Sequence, residues 1–388
     1  MFEVARRPAE NSSLVSILYM CIHDQAYPRN RLIREKFASA ASCEVYILPF
    51  NIGNGFLVEF IRLLHLAIRF KGKCDVIVVS EFSIQWVLPC YLLSRRLGAT
   101  LVVDRFIGLY ETRVEDWRAV GRYSIRAFLY KILDWLAVFL ADIVLIDTQV
   151  RADNLMSRSR VKRNVLAVPV GAPDWASSDE TRIEDDLEGP NGRPLRLLYY
   201  GNYIPLHGLP CVVQSVAKAN SVVPIEMTFI GNGDSRPEVE SLCTTLGVGE
   251  ICSFVDPVPE LDLRDFILNA DIVFGVFGNS EKARTVIANK VWQALACGKT
   301  VMTLQTAALD ELPSSAQSML RTVRSADPCL LAEVLIRVWK EGMPRSDCAD
   351  RISYDLSHYV GVRLEDAIGE ILGTVRRRRA EDCEGGVR

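Results

Sequence analysis

The sequence predicts an α/β protein built from two doubly wound domains that face each other across a cleft. Its 388 residues exceed what one hydrophobic core usually serves. Short apolar runs rich in β-branched residues alternate with helix-length amphipathic segments, which indicates repeated strand–helix–strand units. A polar, acidic and turn-rich stretch at residues 172–194 separates two such series, so it is predicted to be an exposed linker.

The apolar runs are the predicted strands. In the first half they are LVSILYM, EVYILPF, DVIVVS, TLVVD, DIVLID and VLAVPVG, and in the second half LRLLYYG, IEMTFIG, ICSF, DIVFGVF, TVMTLQ and LRTV. Each run is too short for a helix and is apolar almost throughout. That pattern is typical of parallel strands buried on both faces.

Five segments follow from this pattern. Residues 14–171 are the expected N-terminal domain and residues 195–350 the expected C-terminal domain, with the linker between them. The helical periodicity of SYDLSHYVGVRLEDAIGEILGTV predicts a C-terminal helix over 351–376 that crosses back. The basic and acidic residues 377–388 are expected to be disordered.

Composition excludes several classes of protein. The formal net charge is −3, so no global field favours nucleic acid. The 11 cysteines show neither C-x-x-C nor zinc-type spacing, which suits reduced thiols in the cytoplasm. MFEVARRPAENSS has no apolar core of a secretory signal, and no stretch of about 18 residues is uniformly apolar. We expect a cytoplasmic protein, and a peripheral contact with the inner membrane face remains open.

Two glycine-containing loops of the second half follow predicted strands. Gly201 ends one strand, and Asn202 and His207 lie between it and a helix start whose free N–H groups suit a phosphate. Gly231 and Gly233 follow the next strand and permit close backbone approach. Structural βα turns explain both loops equally well.

Three cations follow the buried run DIVFGVF. Lys282, Arg284 and Lys290 lie in the loop and in the first turn of the helix after it. Cations at a helix start oppose the helix dipole, and an anionic ligand would relieve that conflict. The alternative is that two of them are solvated surface side chains. The pattern therefore favours a diphosphate at this point.

The motifs of the second half, in this order, resemble bacterial glycosyltransferases of family 4. They are G-N-Y-x-P-x-H-G, F-I-G-N-G and F-G-x-x-x-K-x-x-x-V-I-x-N-K-x-x-Q-A-L-A-x-G-K. The resemblance implies the fold called GT-B, with two Rossmann-like domains. It also implies a retaining transfer from a nucleotide-diphosphate sugar, bound mainly by the C-terminal domain, with no further cofactor.

The resemblance assigns roles to residues and also shows departures. His207 stands where many members have a lysine that contacts the diphosphate, and Asn202 replaces the usual arginine. Gln293 and Thr285 occupy the positions of the two carboxylates of the family motif E-x7-E. A glutamine amide still bonds ribose hydroxyls, but it carries no negative charge.

The first half supplies the expected acceptor side. Asp104 and Glu111 lie at or beyond the carboxyl end of TLVVD and are candidates to orient an acceptor hydroxyl or to accept its proton. Helix capping or surface pairing explains them equally well. Trp135 and Phe139 lie on one face of a predicted helix, where core packing is favoured over membrane docking.

The predicted function is hexosyl transfer from a nucleotide sugar to a glycan or lipid-linked acceptor in polysaccharide biosynthesis. Asp104, Glu111, Arg284 and Lys290 are the predicted catalytic residues. The predicted donor-binding residues are Gly201, Asn202, His207, Gly231, Gly233, Lys282 and Gln293. The sequence contains no D-x-D triplet, so we expect no dedicated metal site. A nucleotide-sugar epimerase and a catalytically weak binding protein are the alternatives.

Overall fold

The predicted apolar runs form strands of two separate sheets. A computed structural model describes residues 3–4, 14–22, 24–40, 43–49, 55–69, 74–159, 164–176, 193–342 and 349–385. The chain divides into two compact units. Unit 1 consists of Met1–Pro169 with Val360–Arg388, and unit 2 consists of Val170–Tyr359.

Unit 1 contains a seven-stranded sheet in the order β1-β3-β2-β4-β5-β6-β7. Its strands are β1 (Glu3–Val4), β2 (Val15–Ile22), β3 (Cys43–Pro49), β4 (Val76–Val79), β5 (Thr100–Asp104), β6 (Ile143–Ile146) and β7 (Asn164–Ala167). Strand β1 pairs antiparallel with β3, and the other neighbours are parallel. The two-residue strand β1 was not predicted, because so short a segment carries no periodicity.

In the described part of unit 1, five helices connect the strands. They are α1 (Pro28–Ser39), α2 (Phe56–Arg69), α3 (Val87–Leu97), α4 (Ile125–Leu140) and α5 (Gln149–Ser159). Ser124 caps α4, because its hydroxyl oxygen accepts the N–H of Ala127. A π-helical turn at Glu111–Asp116 precedes α4. Trp135 and Phe139 of α4 are exposed, so the prediction that they pack in the core is wrong.

Unit 2 contains a six-stranded parallel sheet in the order β10-β9-β8-β11-β12-β13. Its strands are β8 (Leu195–Tyr200), β9 (Ile225–Ile230), β10 (Cys252–Val255), β11 (Ile272–Phe274), β12 (Thr300–Leu304) and β13 (Leu320–Val323). Counted within the unit, this is the Rossmann order 3-2-1-4-5-6. The chain reverses direction across the sheet between β8 and β11, so ligands of such sheets bind beyond the carboxyl ends of these two strands.

The helices of unit 2 pack against its strands, and the last one continues beyond the unit. They are α6 (Leu209–Asn220), α7 (Arg236–Thr245), α8 (Leu263–Asn269), α9 (Asn289–Ala296), α10 (Ser314–Gln317), α11 (Pro328–Glu341) and α12 (Ala349–Gly385). Residues of α12 from Val360 onward belong to unit 1. None of the helices described is long and apolar enough to cross a bilayer.

The predicted disorder of residues 377–388 is wrong for residues 377–385, which continue α12. Two arginines of the basic run at residues 376–379 form ion pairs with aspartates of unit 1. Arg378 pairs with Asp142 at 2.6 Å, and Arg379 pairs with Asp75 at 2.7 Å. These ion pairs hold a segment whose composition alone indicates a solvated tail. Residues 386–388 lie outside the described part of the chain, as do residues 177–192 of the predicted linker.

Candidate functional site

The loops after β8 and β11 meet at the point where the sheet of unit 2 reverses its strand order. The backbone N–H of Phe277 donates to the carbonyl of His207 at 3.2 Å, and that of Gly278 donates to the carbonyl of Leu206 at 2.9 Å. Helix α9 begins after the second loop, and Lys290 lies in its first turn. The two predicted motifs that flank the expected diphosphate therefore lie side by side.

Gly201, His207 and Lys290 converge at this point. A Cβ placed on Gly201 would lie 3.7 Å from Nζ of Lys290 and 3.8 Å from Cε1 of His207. Gly201 also has φ of +126°, a conformation that L side chains rarely adopt. A side chain at position 201 would therefore touch both the ammonium group and the imidazole, so the backbone of Gly201 lies directly beside them.

Lys290 is a buried cation without a hydrogen-bond acceptor. Its side chain is 4% exposed, and Nζ has no hydrogen-bond partner in the part of the chain that the structure describes. Nζ lies 4.0 Å from the ring centroid of Tyr199, so the ring face supplies its nearest electrostatic support. Burial lowers the pKa of Lys290 well below its usual value. An ammonium in this position lacks an anion.

His207 is buried beside Lys290 and is held in one orientation. Its Nδ1 lies 2.7 Å from the carbonyl oxygen of Asn202, which also accepts the hydroxyl of Tyr199 at 2.7 Å. Nδ1 also lies 2.7 Å from the hydroxyl oxygen of Tyr199, so it either donates to the carbonyl of Asn202 or accepts from the hydroxyl of Tyr199. Burial and the charge of Lys290 lower the pKa of His207 well below its usual value.

The other two predicted cations differ from each other. Lys282 and Arg284 form a 3-10 turn before α9. Lys282 is buried, and its charge contributes to the lowered pKa of His207, so it lies near the same site. Arg284 is exposed, and its side chain makes no hydrogen bond or ion pair with the residues that the structure describes. The cations therefore form a buried pair with one exposed neighbour.

Gln293 lies one turn after Lys290 on α9. Its Oε1 accepts the hydroxyl of Tyr200 at 2.9 Å, and this hydroxyl also lies 3.2 Å from the carbonyl oxygen of Lys290. Tyr200 is the last residue of β8, so its hydrogen bonds tie α9 to this strand just before Gly201. Sequence reasoning missed this role, although Tyr199 and Tyr200 directly precede the glycine that it singled out.

The glycines after β9 have a structural reason. A Cβ on Gly231 would lie 2.2 Å from the carbonyl oxygen of Gly201, and one on Gly233 would lie 2.8 Å from the backbone nitrogen of Tyr203. Both spaces are filled by the protein backbone. Packing between the loops after β8 and β9 accounts for these glycines without a ligand, in agreement with the alternative kept open for them.

The predicted acidic residues of unit 1 are engaged in ion pairs. Asp104, at the end of β5, is fully buried, and its carboxylate oxygens accept Nε and Nη2 of Arg29 at 2.8–3.1 Å. Glu111 accepts Nη2 of Arg151 at 2.9 and 3.0 Å, and Arg151 also pairs with Asp147 at 2.6 Å. Arg29 occupies the carboxylate of Asp104, and the surrounding residues cover it, so the catalytic role of Asp104 stays a prediction that this geometry does not support.

Sequence reasoning overlooked Glu81, which lies beyond β4 in unit 1. Its Oε1 accepts Nδ2 of Asn30 at 2.6 Å, and its buried Oε2 has no hydrogen-bond partner in the described ranges. Burial, and then the charge of Asp104, raise the pKa of Glu81 to about 8. Glu81 directly follows DVIVVS, and Asp104 directly follows TLVV, so both carboxylates lie at the carboxyl ends of parallel strands.

The solved structures that share this fold include glycosyltransferases and a putative nucleotide-sugar epimerase. The Anabaena protein HepE, solved with UDP and glucose, is 13% identical over 93% of this chain and 100% of its own, with a TM-score of 0.64. Sucrose-phosphate synthase from Thermosynechococcus elongatus is 15% identical over 95% of this chain and 100% of its own, with a TM-score of 0.64. A putative UDP-N-acetylglucosamine 2-epimerase from Listeria monocytogenes is 12% identical over 94% and 97%, with a TM-score of 0.54.

The chain has the GT-B fold. The predicted fold class of two Rossmann-like domains is thereby confirmed. A scan of family models finds no match, and a search of curated proteins finds none either. Membership of family 4 therefore stays a prediction that rests on the motifs.

Gly201, His207 and Lys290 lie in the segments that follow β8 and β11, the first and fourth strands of unit 2. Thr285 and Gln293, which replace the carboxylates of the family motif, lie on either side of Lys290 in the second of these segments. The hydroxyl of Thr285 donates to the carbonyls of Glu281 and Lys282 at 3.2 and 3.3 Å. No group of three or more His, Cys, Asp or Glu side chains in the described ranges is arranged to hold a metal ion.

Proposed function

We propose that the protein is a retaining hexosyltransferase that moves a sugar from a nucleotide-diphosphate donor to a glycan or lipid-linked acceptor, in the cytoplasm and at the inner membrane face. The observation that carries this proposal is Lys290, a buried ammonium group whose Nζ has no hydrogen-bond partner among the described residues, beside His207 and the backbone of Gly201. The GT-B fold supports a sugar-transfer chemistry of this kind.

Lys290 would act by stabilising the departing diphosphate. Breaking the anomeric C–O bond places negative charge on the leaving group, and a cation in a water-poor site stabilises that charge far better than one in water. The free protein holds the pKa of Lys290 low by burial, so the incoming anion would restore its full charge. Protonated His207 would present an Nε2–H donor to the same ligand.

The neighbouring residues take supporting roles in this proposal. Lys282 adds a second buried cation, and the exposed Arg284 is available to reach a phosphate from the loop. The amide nitrogen of Gln293 is a donor for ribose hydroxyls, while its oxygen stays on Tyr200. Gly201 and Asn202 would let the backbone approach the diphosphate.

The acceptor is proposed to bind unit 1. Glu81 is as fully buried as Asp104, so its carboxyl group, with a pKa of about 8 and mostly protonated at neutral pH, would act on the acceptor side through its hydrogen bond to Asn30 rather than by touching a sugar hydroxyl. Glu111 lies at the edge of the same charged network through Arg151. Asp104 would contribute indirectly, because it fixes Arg29.

Binding and turnover test the proposal in two steps. A thermal-shift screen with nucleoside diphosphates should identify a ligand that raises the melting temperature, because ligand binding to the native state stabilises it. Labelled nucleotide sugars with glycan and lipid-linked acceptors should then give acceptor-dependent release of nucleoside diphosphate. Lys290→Met should weaken nucleotide binding about tenfold to a hundredfold. Lys218→Met, an exposed lysine of α6, serves as the matched control.

The rivals give different results in the same assays. An epimerase, which the Listeria structure brings into consideration, would convert the donor sugar with no acceptor present. A catalytically weak binding protein, which Gln293 and Thr285 favour, would bind nucleotide without turnover. Absence of both nucleotide binding and turnover with every donor would refute the proposal.

A further inference from the structure

The outward face of helix α4 is apolar. Ile125, Phe128 and Trp135 are 81%, 63% and 51% exposed, and they follow one another at helical spacing on one side of the helix. The opposite side is buried and includes Asp134 and Ala137. Surface helices normally place polar residues outward, so α4 departs from this pattern by being apolar on its outward side as well as on its buried side.

Helices α2 and α3 continue this surface. Helix α2 packs against α3, and α3 packs against α4, so the three form one layer of unit 1. Their exposed apolar side chains are Phe56, Leu57, Val58, Ile61 and Ile68 of α2 and Leu88 and Leu92 of α3. We call the exposed side of this layer the α2–α4 face. It is larger than the scattered single apolar residues that are normal on a protein surface.

Charge is segregated in the same three helices. Their two acidic residues, Glu59 and Asp134, are both buried. Their basic residues are all exposed, namely Arg62, Arg69, Arg95, Arg96, Arg126 and Lys131. Arg118 and Arg122 add exposed positive charge in the segment before α4. The α2–α4 face therefore combines exposed apolar side chains with cations and with no exposed acid of its own helices.

This combination matches an anionic lipid surface better than a protein partner. Aromatic and aliphatic side chains enter the boundary between headgroups and acyl chains, and long basic side chains reach the phosphates around them. Helix α4, with 16 residues, is about 24 Å long, so the apolar stripe extends along the interface rather than ending in a pocket. The cores of protein–protein interfaces are depleted in lysine. A face that combines apolar side chains with exposed basic residues and no exposed acid is therefore unusual for such an interface.

We infer that the α2–α4 face docks unit 1 on a membrane that contains anionic lipids. The inference deepens the peripheral membrane contact included in the proposed function. In this arrangement, Ile125, Phe128 and Trp135 insert into the membrane interface. Arg126 and Lys131 contact the headgroup phosphates. Vesicle binding needs neither donor nor acceptor, so failure of this inference and failure of the proposed transfer are distinguishable.

Co-sedimentation of the full chain with vesicles tests the inference. The protein should sediment with vesicles of phosphatidylcholine and phosphatidylglycerol, remain in solution with phosphatidylcholine alone, and be released by high salt. The double variant Phe128→Ser, Trp135→Ser should bind at least about tenfold more weakly. Arg126→Ala and Lys131→Ala should each weaken binding about fivefold at low salt.

Matched variants on unit 2 control for non-specific effects. Leu261→Ser removes another exposed apolar side chain, and Lys218→Ala removes another exposed cation, so both should bind vesicles as the wild type does. Circular dichroism should show unchanged melting temperatures for all variants. Equal binding of wild type and the double variant, or no sedimentation with anionic vesicles, would overturn the inference. So would self-association in solution that the double variant abolishes without any vesicle binding.

Discussion

At the scale of single residues, Lys290 lowers the stability of the fold, and its position suits the binding of a ligand. A buried ammonium without an acceptor costs free energy of folding, which its contact with the Tyr199 ring offsets only in part. Neighbouring core residues such as Val291 and Leu295 are buried without such a conflict. Lys290 is therefore placed as a ligand-binding group is placed, at the expense of the fold.

Replacing Lys290 by methionine should leave the ligand-free protein as stable as the wild type or more stable. Methionine has a similar length and no unsatisfied charge. Urea denaturation without nucleotide measures the free energy of unfolding. A loss of more than about 2 kcal/mol would show that Lys290 supports the fold rather than a ligand. Val291→Ala, on the same helix, should lose about 1–3 kcal/mol and shows the sensitivity of the measurement.

Nucleotide binding should take up protons. Burial lowers the pKa values of Lys290 and His207 in the free protein, and a bound diphosphate would raise both. In the pH window between the free and bound values, the complex holds more protons, so affinity should fall as pH rises. Calorimetry in buffers of different ionisation enthalpy measures this uptake. Uptake that is unchanged in the Lys290→Met, His207→Gln double variant would show that other groups are responsible.

Glu81 should make stability depend on pH. Its folded pKa is about 8, against a usual value of 4.5, so the folded protein keeps a proton that the unfolded chain releases between these values. Its contribution to stability therefore decreases as pH rises through this window. Denaturant midpoints measured across the window should fall less steeply for Glu81→Gln than for wild type. Parallel curves for the two proteins would contradict the raised pKa.

Residue types showed where some site residues lie but not what they contact. The sequence identified Gly201, His207 and Lys290 from their positions after strands and at a helix start, and the structure brings these three together. It did not indicate the buried ion pair between Arg29 and Asp104, because the two residues are distant in the chain. Glu81 was missed because a single carboxylate after a strand carries no motif.

At the scale of elements, periodicity predicted the strands well and helix surfaces poorly. Every predicted apolar run contributes a strand, since burial on both faces of a sheet leaves a continuous apolar signal. Helix α4 was different. Its apolar residues occupy both the buried and the exposed side, so the sequence could not show which side faces the core.

Asp134 explains how an apolar helix carries an acid on its buried side. Its carboxylate oxygens accept the backbone N–H groups of Leu109 and Tyr110 at 2.8 and 3.0 Å, just before the π-helical turn. The charge therefore fixes α4 to the segment that follows β5.

Asp134→Ala should destabilise unit 1 by about 2–4 kcal/mol, because two backbone donors lose a charged acceptor. Asp134→Asn keeps one acceptor oxygen and should lose less. Chemical denaturation followed by circular dichroism measures both. Glu333→Ala, which removes an exposed acid of α11, should change stability by less than about 0.5 kcal/mol. Equal effects of the Asp134 and Glu333 changes would show that the two backbone bonds contribute nothing.

At the scale of the whole molecule, unit 1 is built from two separate segments of the sequence, because the second part of α12 belongs to it. Its buried side chains from Val360 onward are Val360, Leu364, Ala367, Ile368, Ile371, Leu372 and Val375. Lys36 of α1 pairs with Glu365 at 2.6 Å, and Asn164 of β7 donates to Glu370 at 3.1 Å. Ends of the sequence that are far apart thus share one core.

Deleting residues 360–388 should unfold unit 1 and spare unit 2. The deletion exposes core side chains of unit 1, whereas unit 2 ends at Tyr359. Limited proteolysis should then degrade the first part of the chain and leave a fragment that begins near residue 170. Arg376→Ala, an exposed residue of the same helix, is the control and should leave the digestion pattern unchanged. Intact unit 1 after the deletion would contradict the shared core.

The order of synthesis gives α12 a consequence for the newborn polypeptide. Domains generally fold in the order in which they leave the ribosome. Here the amino-terminal half emerges first but lacks the strip of helix that finishes it, and this strip is translated after everything in unit 2. Unit 1 is therefore synthesised first but completed last. Until α12 has been synthesised, the apolar side chains that it covers stay exposed to solvent or to chaperones.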